Sequence, residues 1–321
     1  MFKNTLTIVI LAALYLAVPL VLGGNHYLMG LIVSSLIVAG VALAWALLGN
    51  LGGMVSFGHA AFFGVGAYTS ALLATKLGWP VLLAMVAGGA GAALSALLML
   101  PVLRLRGPYF ALAILAYAQI FRILATEWQS LTQGAAGLSR IPALPTILGW
   151  DLSARSGSYL LLVTVLVAFA ACYHALRRSH YGMALRAMHD SEDATRVVGV
   201  NSDLLKAAML LLSAFMTGLI GAFNAHIINF LEPDYAFNGV WSVFPIVAAV
   251  LGGYRTVTGP LLGAVAIYLL DQLLFKALLA SGHQIILGVM LAAMVLFAPQ
   301  GLVPWLGQKL RRKAGGHSAA T

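Results

Sequence analysis

The sequence predicts an all-α integral membrane protein of about ten transmembrane segments, with both termini cytoplasmic and the third and eighth segments interrupted. Three observations carry that expectation. Charged residues make up 8% of the 321 positions and hydrophobic residues 61%, where a soluble domain averages about 25% charged. Ten apolar segments follow one another, most of them near the roughly 20 residues that a span needs. The basic residues, finally, alternate between connections. Lys3, Arg104, Arg106, Arg177, Arg178, Arg186, Arg196, Lys206, Arg255, Lys309, Arg311, Arg312 and Lys313 fall on one side, and Lys76, Arg140 and Arg155 on the other. Arg122 and Lys276 remain within segments. This asymmetry puts the richer side in the cytoplasm. It also accounts for a net charge of +9 without nucleic acid, for which the chain shows no aromatic-interleaved basic run.

In order, the segments are Leu6–Leu22, Tyr27–Leu48, Leu51–Ala74, Pro80–Leu103, Tyr109–Ala125, Tyr159–Leu176, Ala207–Phe230, Trp241–Gly253, Pro260–Ala280 and Gln284–Ala298. The first follows Phe2-Lys3-Asn4 as a secretory signal would. Its apolar run of about 17 residues exceeds a usual signal core, and no small-x-small cleavage site follows, so a retained span is expected. Residues 1–308 then form one polytopic domain with a cytoplasmic segment at 177–206, and 309–321 a basic cytoplasmic tail. A single cysteine, Cys172, excludes an intrachain disulfide. The largest outer connection, Thr126–Ser158, carries Glu127, Trp128, Pro142, Pro145, Trp150 and Asp151, and a shorter acidic one is Leu231–Tyr235.

The most charged run is Arg177–Lys206. Asp190 is expected to cap a helix of about eight residues, roughly 12 Å long. Glu192 and Asp193 in its first turn suit the positive end of the helix dipole. Ala194, Val197 and Val198 give the helix one apolar edge, and Gly199 offers a left-handed stop. So short a helix needs something to pack on. It reads as a lever held for a partner protein.

The third segment carries Gly52, Gly53, Gly58, Gly64 and Gly66, which weaken a helix interior. The eighth is short and contains Pro245. Dividing the ten segments into two inverted fives places both at position three, and such a pair points to a translocation path. The competing explanation is close helix packing, as expected for Gly88-x-x-x-Ala92 and Gly218-x-x-x-Ala222.

Familiar catalytic chemistry is not written here. The chain has no GxxxxGK[ST] loop for ATP, no His-Glu-x-x-His and no CxxC pair for zinc. The polar residues within segments are His59, Gln119, Arg122, Asn224, His226, Asn229, Asp271, Lys276 and His283. His59 reads as a helix-contact donor, Asn224, His226 and Asn229 as wet residues near an outer end, and Asp271 as a structural partner of Lys276 or the backbone. No nucleophile stands with a base. The chain is expected to be neither an enzyme nor a holder of a cofactor or metal.

Three stretches resemble the permease family of branched-chain amino-acid ABC importers, and within it the LivM-type subunit. They are Ser56-Phe57-Gly58-His59-Ala60-Ala61-Phe62-Phe63-Gly64 with Gly66-Ala67-Tyr68; Arg104-Leu105-Arg106-Gly107-Pro108-Tyr109-Phe110-Ala111; and Tyr181-Gly182 with Ala184-Leu185-Arg186-Ala187, through Asp190, to Gly199-Val200-Asn201. Asp193-Ala194-Thr195 followed by Gly199 resembles a degraded form of the importer coupling motif EAAxxxG. The likeness reaches from the first segments to about Gly301.

The resemblance implies a bacterial inner-membrane subunit that pairs with a second permease subunit, in a heterodimer. It also implies two cytoplasmic ATP-binding subunits, an extracytoplasmic substrate-binding protein, and a branched-chain or similar small amino acid as substrate. Coupling to the ATPase would fall to Arg186, Asp190, Glu192, Asp193, Ala194, Gly199 and Asn201. The path would involve Ser56, Gly58, His59, Gly64, Gly66, Tyr68, Gly252 and Gly253. The rival reading is an ion-coupled secondary transporter with inverted repeats and Asp271 as its coupling acid.

Overall fold

The computed structural model describes residues 17–278 apart from 106 and 148, together with Tyr15 and isolated positions from 282 to 301. Most of the expected first and tenth segments, His283 and the tail 309–321 lie outside the described residues, as do Lys3, Arg106, Lys309, Arg311, Arg312 and Lys313. Among the described residues, seven helices are long and apolar enough to cross a membrane. They correspond to the second, fourth, fifth, sixth, seventh, eighth and ninth expected segments.

The centre of the bundle is α1, His26–Gly52, capped by Asn25, whose Oδ1 accepts from the Leu28 N–H at 3.1 Å. Its sequence is apolar on every side, and such a helix belongs inside a bundle. Of its most apolar window, 83% is buried. Around it pack α5 (Arg155–Arg178), α8 (Ser202–Ile228), α9 (Val240–Gly252) and α10 (Thr258–Leu270). A second group joins α2 (His59–Lys76) and α3 (Val81–Ala96) to α8. Small residues set their spacing. A Cβ on Gly66 would run into the Gly218 backbone, one on Gly218 into Ala92, and one on Gly88 would lie 2.6 Å from the Gly66 carbonyl oxygen. The Gly88/Ala92 and Gly218/Ala222 pairs are therefore helix contacts of the small-residue kind. Helix α3 continues as a 3-10 turn over Leu97–Arg104 around Pro101, and α4 (Pro108–Glu127) returns along the outside.

The two ends of the bundle differ. At the basic end α1 gives way to α2, α3 to α4, α5 to α6 (His180–Asp190) and α7 (Glu192–Val197), and α9 to α10. At the opposite, loop end, Leu138–Ser139 pairs antiparallel with Phe230–Leu231. There Arg122 bonds Asp234 at 2.8 Å and Lys76 donates to the Ser130 carbonyl at 3.0 Å.

The loop end corrects the expectation that Asn224, His226 and Asn229 are wet. Asn224 and His226 are buried. His226 Nδ1 lies 2.7 Å from the Pro142 carbonyl, which can only accept, so that nitrogen carries the proton. Its Nε2 then accepts from the Ser70 hydroxyl at 2.8 Å. Asn229 Nδ2 donates to the Ile141 carbonyl at 3.0 Å, and Asn224 Nδ2 to the Tyr235 hydroxyl at 2.9 Å. His226 and Asn229 thus hold the long connection across the helix ends, and Asn224 holds the shorter one through Tyr235.

Candidate functional site: an open cavity against a capped lever

Between α1 and α2 the chain leaves the helical state at Gly53 and re-enters it at His59. Gly53 makes the turn at φ +66°, a conformation that glycine adopts without a Cβ penalty. Exposure then alternates: Met54, Ser56 and Gly58 are buried while Gly53, Val55 and Phe57 are exposed. A period of two marks extended chain. Its buried side is held by the Trp45 indole, which donates to the Ser56 carbonyl at 2.9 Å, and by Ser56 Oγ, which accepts from the Gly58 N–H at 3.3 Å.

The exposed side faces an open cavity of about 930 Å³. Val55 and Phe57 line one wall, and Leu105, Phe110, Leu112 and Leu115 line a second. Met188 and His189 of α6, Glu192 of α7 and Lys206 of α8 close a third. Most of these residues were missed by the reading of the sequence, which sought the interrupted segment's function in its glycines. The alternation of Val55 and Phe57 about Ser56 was the available signal.

The third wall belongs to the lever. Ser191, not Asp190, caps α7: it is extended (φ −155°), and its Oγ accepts from the Ala194 N–H at 3.4 Å. Asp190 instead ends α6. With its N-cap at Ser191 and its C-cap at Val198, α7 has six residues rather than about eight. Gly199 supplies the expected left-handed stop at φ +86°, and the Val200 N–H reaches back to the Thr195 carbonyl at 3.3 Å. Asn201 caps α8 through the Leu204 N–H at 3.0 Å. Arg186, Asp193 and Ala194 are exposed.

Glu192 ties the lever down. Its Oε1 lies 2.8 Å from Lys206 Nζ and 2.9 Å from Arg196 Nη2, and Arg196 also meets Asp203 at 2.9 Å. Burial alone would raise the Glu192 carboxyl, but Lys206 and Arg196 together hold it below its ordinary value. The apolar edge of the lever is left uncovered, with Val197 88% and Val198 78% exposed.

The third and eighth segments meet, and the eighth is not interrupted as expected: α9 runs unbroken through Pro245. Ser242 Oγ of α9 accepts from the Ala60 N–H at 2.9 Å, satisfying a donor in the first turn of α2 that has no partner within its helix. Phe63 stacks on Trp241 with ring centres 4.1 Å apart. Gly64 faces the Phe237 ring, and Tyr68 stacks on that ring at 5.8 Å. Gly252 abuts the backbone of Gly259 and Gly263, and Gly253 ends α9 at φ +101°. Gly58 lies against Ile114 of α4. His59 is wholly buried, with Nε2 2.9 Å from Ser213 Oγ. Since Ser213 donates to the Ala44 carbonyl, the proton between them belongs to His59. Of the expected path residues, Ser56 and Gly58 thus lie on the buried side of the extended chain and His59 just beyond it. Gly64, Gly66 and Gly252 stand where elements pack closest.

Asp271 is 3% exposed and opens a π-helical stretch, Asp271–Phe275. Lys276 bonds Gln272 at 3.0 Å. Among the described residues no three His, Cys, Asp or Glu side chains gather to hold a metal.

Residues 7–298 match the family described as "Branched-chain amino acid transport system / permease component". The chain belongs to this family. The permease is 30% identical over 292 residues to the "High-affinity branched-chain amino acid transport system permease protein LivM" of Escherichia coli (strain K12), covering 83% of its own length and 67% of the relative's. It is 22% identical over 286 residues to the LivH protein of the same name and organism, covering 82% of its own length and 90% of that relative's. A shorter likeness, 25% over 124 residues, joins it to the "Ribose import permease protein RbsC" of Haemophilus influenzae, over 37% and 38% of the two chains. No solved structure matches. Members of this family are permease subunits, not enzymes themselves. Membership sets aside the ion-coupled reading built on Asp271.

Proposed function

We propose that this chain is the LivM-type membrane subunit of an importer for branched-chain or similar small amino acids, driven by separate ATP-binding subunits that act on α6 and α7. The observation that carries the reading is the contact between lever and cavity. Glu192 belongs both to the lever and to the wall of an open space beside a broken membrane segment. A push on α7 would reach that space directly. Val197 and Val198 offer the ATPase an apolar edge, with Ala194 beside it and Gly199 fixing its far end. Arg186, Asp190, Glu192, Asp193 and Asn201 would set the charge and caps of the docking segment.

The cavity is the inner mouth of the route, with Ser56, Gly58 and His59 behind it. Gly64, Gly66, Tyr68, Gly252 and Gly253 hold the elements along it in register. The basic end faces the cytoplasm, in line with the positive-inside bias, and both termini lie there in the membrane of a bacterial cell. The likeness to both LivM and LivH supports a pair of unlike permease subunits. An extracytoplasmic binding protein would deliver substrate at the loop end.

The test is co-purification with a nucleotide-binding subunit and a second permease, followed by leucine uptake in vesicles. Single cysteines at Ser153 and Ser179, in a Cys172→Ala background, flank α5 and should label from opposite faces, Ser153 from outside. Uptake that survives without any ATPase subunit would overturn the reading.

A further inference from the structure

The cavity is more than a passage. Any closure of the basic end must remove its volume, and its third wall is the lever on which closure acts. We propose that the cavity is also a product-binding site at which a zwitterionic, branched aliphatic amino acid arriving on the cytoplasmic side holds the inner end open and slows further import. This rests on the importer reading and adds a regulation to it.

The chemistry of the walls argues for that ligand class. One side presents a cation and an anion together, Lys206 and Glu192, with side chains only 12% and 18% exposed and 2.8 Å apart. An ammonium nitrogen carries three donors and a carboxylate about four acceptor sites, so the pair can meet a ligand's carboxylate and ammonium in complementary order. The facing walls are aliphatic and aromatic, formed by Val55, Phe57, Leu112 and Leu115. About 930 Å³ lies within the usual range for small-molecule sites. A simple acid or amine would meet one unlike and one like charge here. A zwitterion with a small side chain would leave the apolar walls unfilled.

Position supplies the regulation. Lys206 lies in the second turn of α8, Glu192 opens α7 and Met188 lies in the last turn of α6, while Val55 and Leu115 belong to the broken third segment and to α4. A ligand between them opposes any movement of lever toward α4. Differential binding to the open form is sufficient to shift the balance between the two forms.

The experiment uses the whole transporter in vesicles, with ATP inside and the loaded binding protein outside. The lumen, facing the ATPase, is preloaded with unlabelled leucine. Initial entry of labelled leucine and ATP hydrolysis should both fall about fivefold or more, the lower end of ordinary coupling between sites. Preloading with isovalerate, isoamylamine or glycine should leave both rates near those of empty vesicles. Lys206→Met on the ionic wall and Leu115→Trp on the apolar wall, each compared with its own unloaded rate, should both lose the inhibition. Rates indifferent to internal leucine would overturn the proposal, as would equal inhibition by isovalerate or by glycine. So would inhibition retained in both variants, or an effect that follows vesicle lipid composition instead of leucine. Failure of uptake in unloaded vesicles would strike the importer reading itself, a separate result.

Discussion

The loop end and the basic end of this permease are held together in different ways. At the loop end a second apolar cluster, including Tyr68, Leu138, Ile141, Leu231 and Phe237, closes over the helix termini. Buried side chains pin the connection from beneath. At the basic end Val55 and Phe57 stand exposed on an open cavity, and Tyr181, Val197, Val198 and Leu204 are exposed along residues 181–204. There Leu185 and Met188 pack α6 on the main core, while α7 is tied to α8 by the ion pairs of Glu192 and Arg196. A packed, hydrogen-bonded end resists deformation, whereas an exposed ion pair such as Arg196–Asp203 is worth little. The difference teaches where movement is cheap, and under the proposed function the basic end is the one that separate ATP-binding subunits would drive.

The largest disturbance to this contrast should come from the packing that both ends share. Gly66→Leu would drive a side chain into the Gly218 backbone, which cannot step aside as a flexible side chain would. Overpacking of this kind costs about 1–3 kcal/mol or more. The variant should lose assembled protein and thermal stability together. A Gly66→Leu protein of normal melting temperature would show that α2 and α8 are not held this closely.

A smaller effect is expected at the loop end from His226→Ala. It removes the donor to the Pro142 carbonyl and leaves the Ser70 hydroxyl without its acceptor. Unsatisfied buried groups cost about 1–3 kcal/mol. Residues 128–154 should become accessible to protease from the loop side while the basic end keeps its protection. Equal exposure of both ends would break the contrast.

Legibility in the sequence follows the same division. The apolar periods and basic asymmetry gave the helices, and the lever's stop at Gly199 was readable because glycine has one strong reason to be there. The cap was misplaced by one residue because Asp190 and Ser191 are both good caps, and only the backbone decides between them. The cavity was hidden for another reason. Its walls come from four separated stretches, and a leucine such as Leu115 looks the same whether it faces lipid, protein or an open space. His226 and Asn229 were misjudged because their partners are backbone carbonyls of a loop some 85 residues away, and a carbonyl leaves no trace in residue type.

The Glu192 clasp sharpens the contrast further, with a smaller effect that depends on pH. Its carboxyl is held below the ordinary 4.5, so its contribution is present above the unfolded value and lost as pH falls through the depressed one. Spin labels on α7 and α8 should therefore keep their separation as pH falls to 4.5 and move apart only below it. Separation that begins to change at higher pH would mean Lys206 and Arg196 do not protect the carboxylate.

The smallest structural effect and the sharpest functional one should coincide at Val198→Asp. Val198 is 78% exposed and adjoins Gly199, around which an added Cβ would meet nothing within 4 Å. A surface substitution of this kind usually shifts stability by no more than about 0.5 kcal/mol. Thermal stability, the Gly199 stop and assembly of the two permease subunits should all be unchanged. What changes is the edge proposed to dock the ATP-binding subunits. A carboxylate placed in an apolar contact must be desolvated without a partner, and that penalty falls on the complex alone. ATPase subunits should thus bind more weakly and hydrolyse ATP without responding to the loaded binding protein. If hydrolysis and uptake remain coupled as in the parent protein, the exposed valines are not the docking edge, and the lever must be gripped through α6 instead.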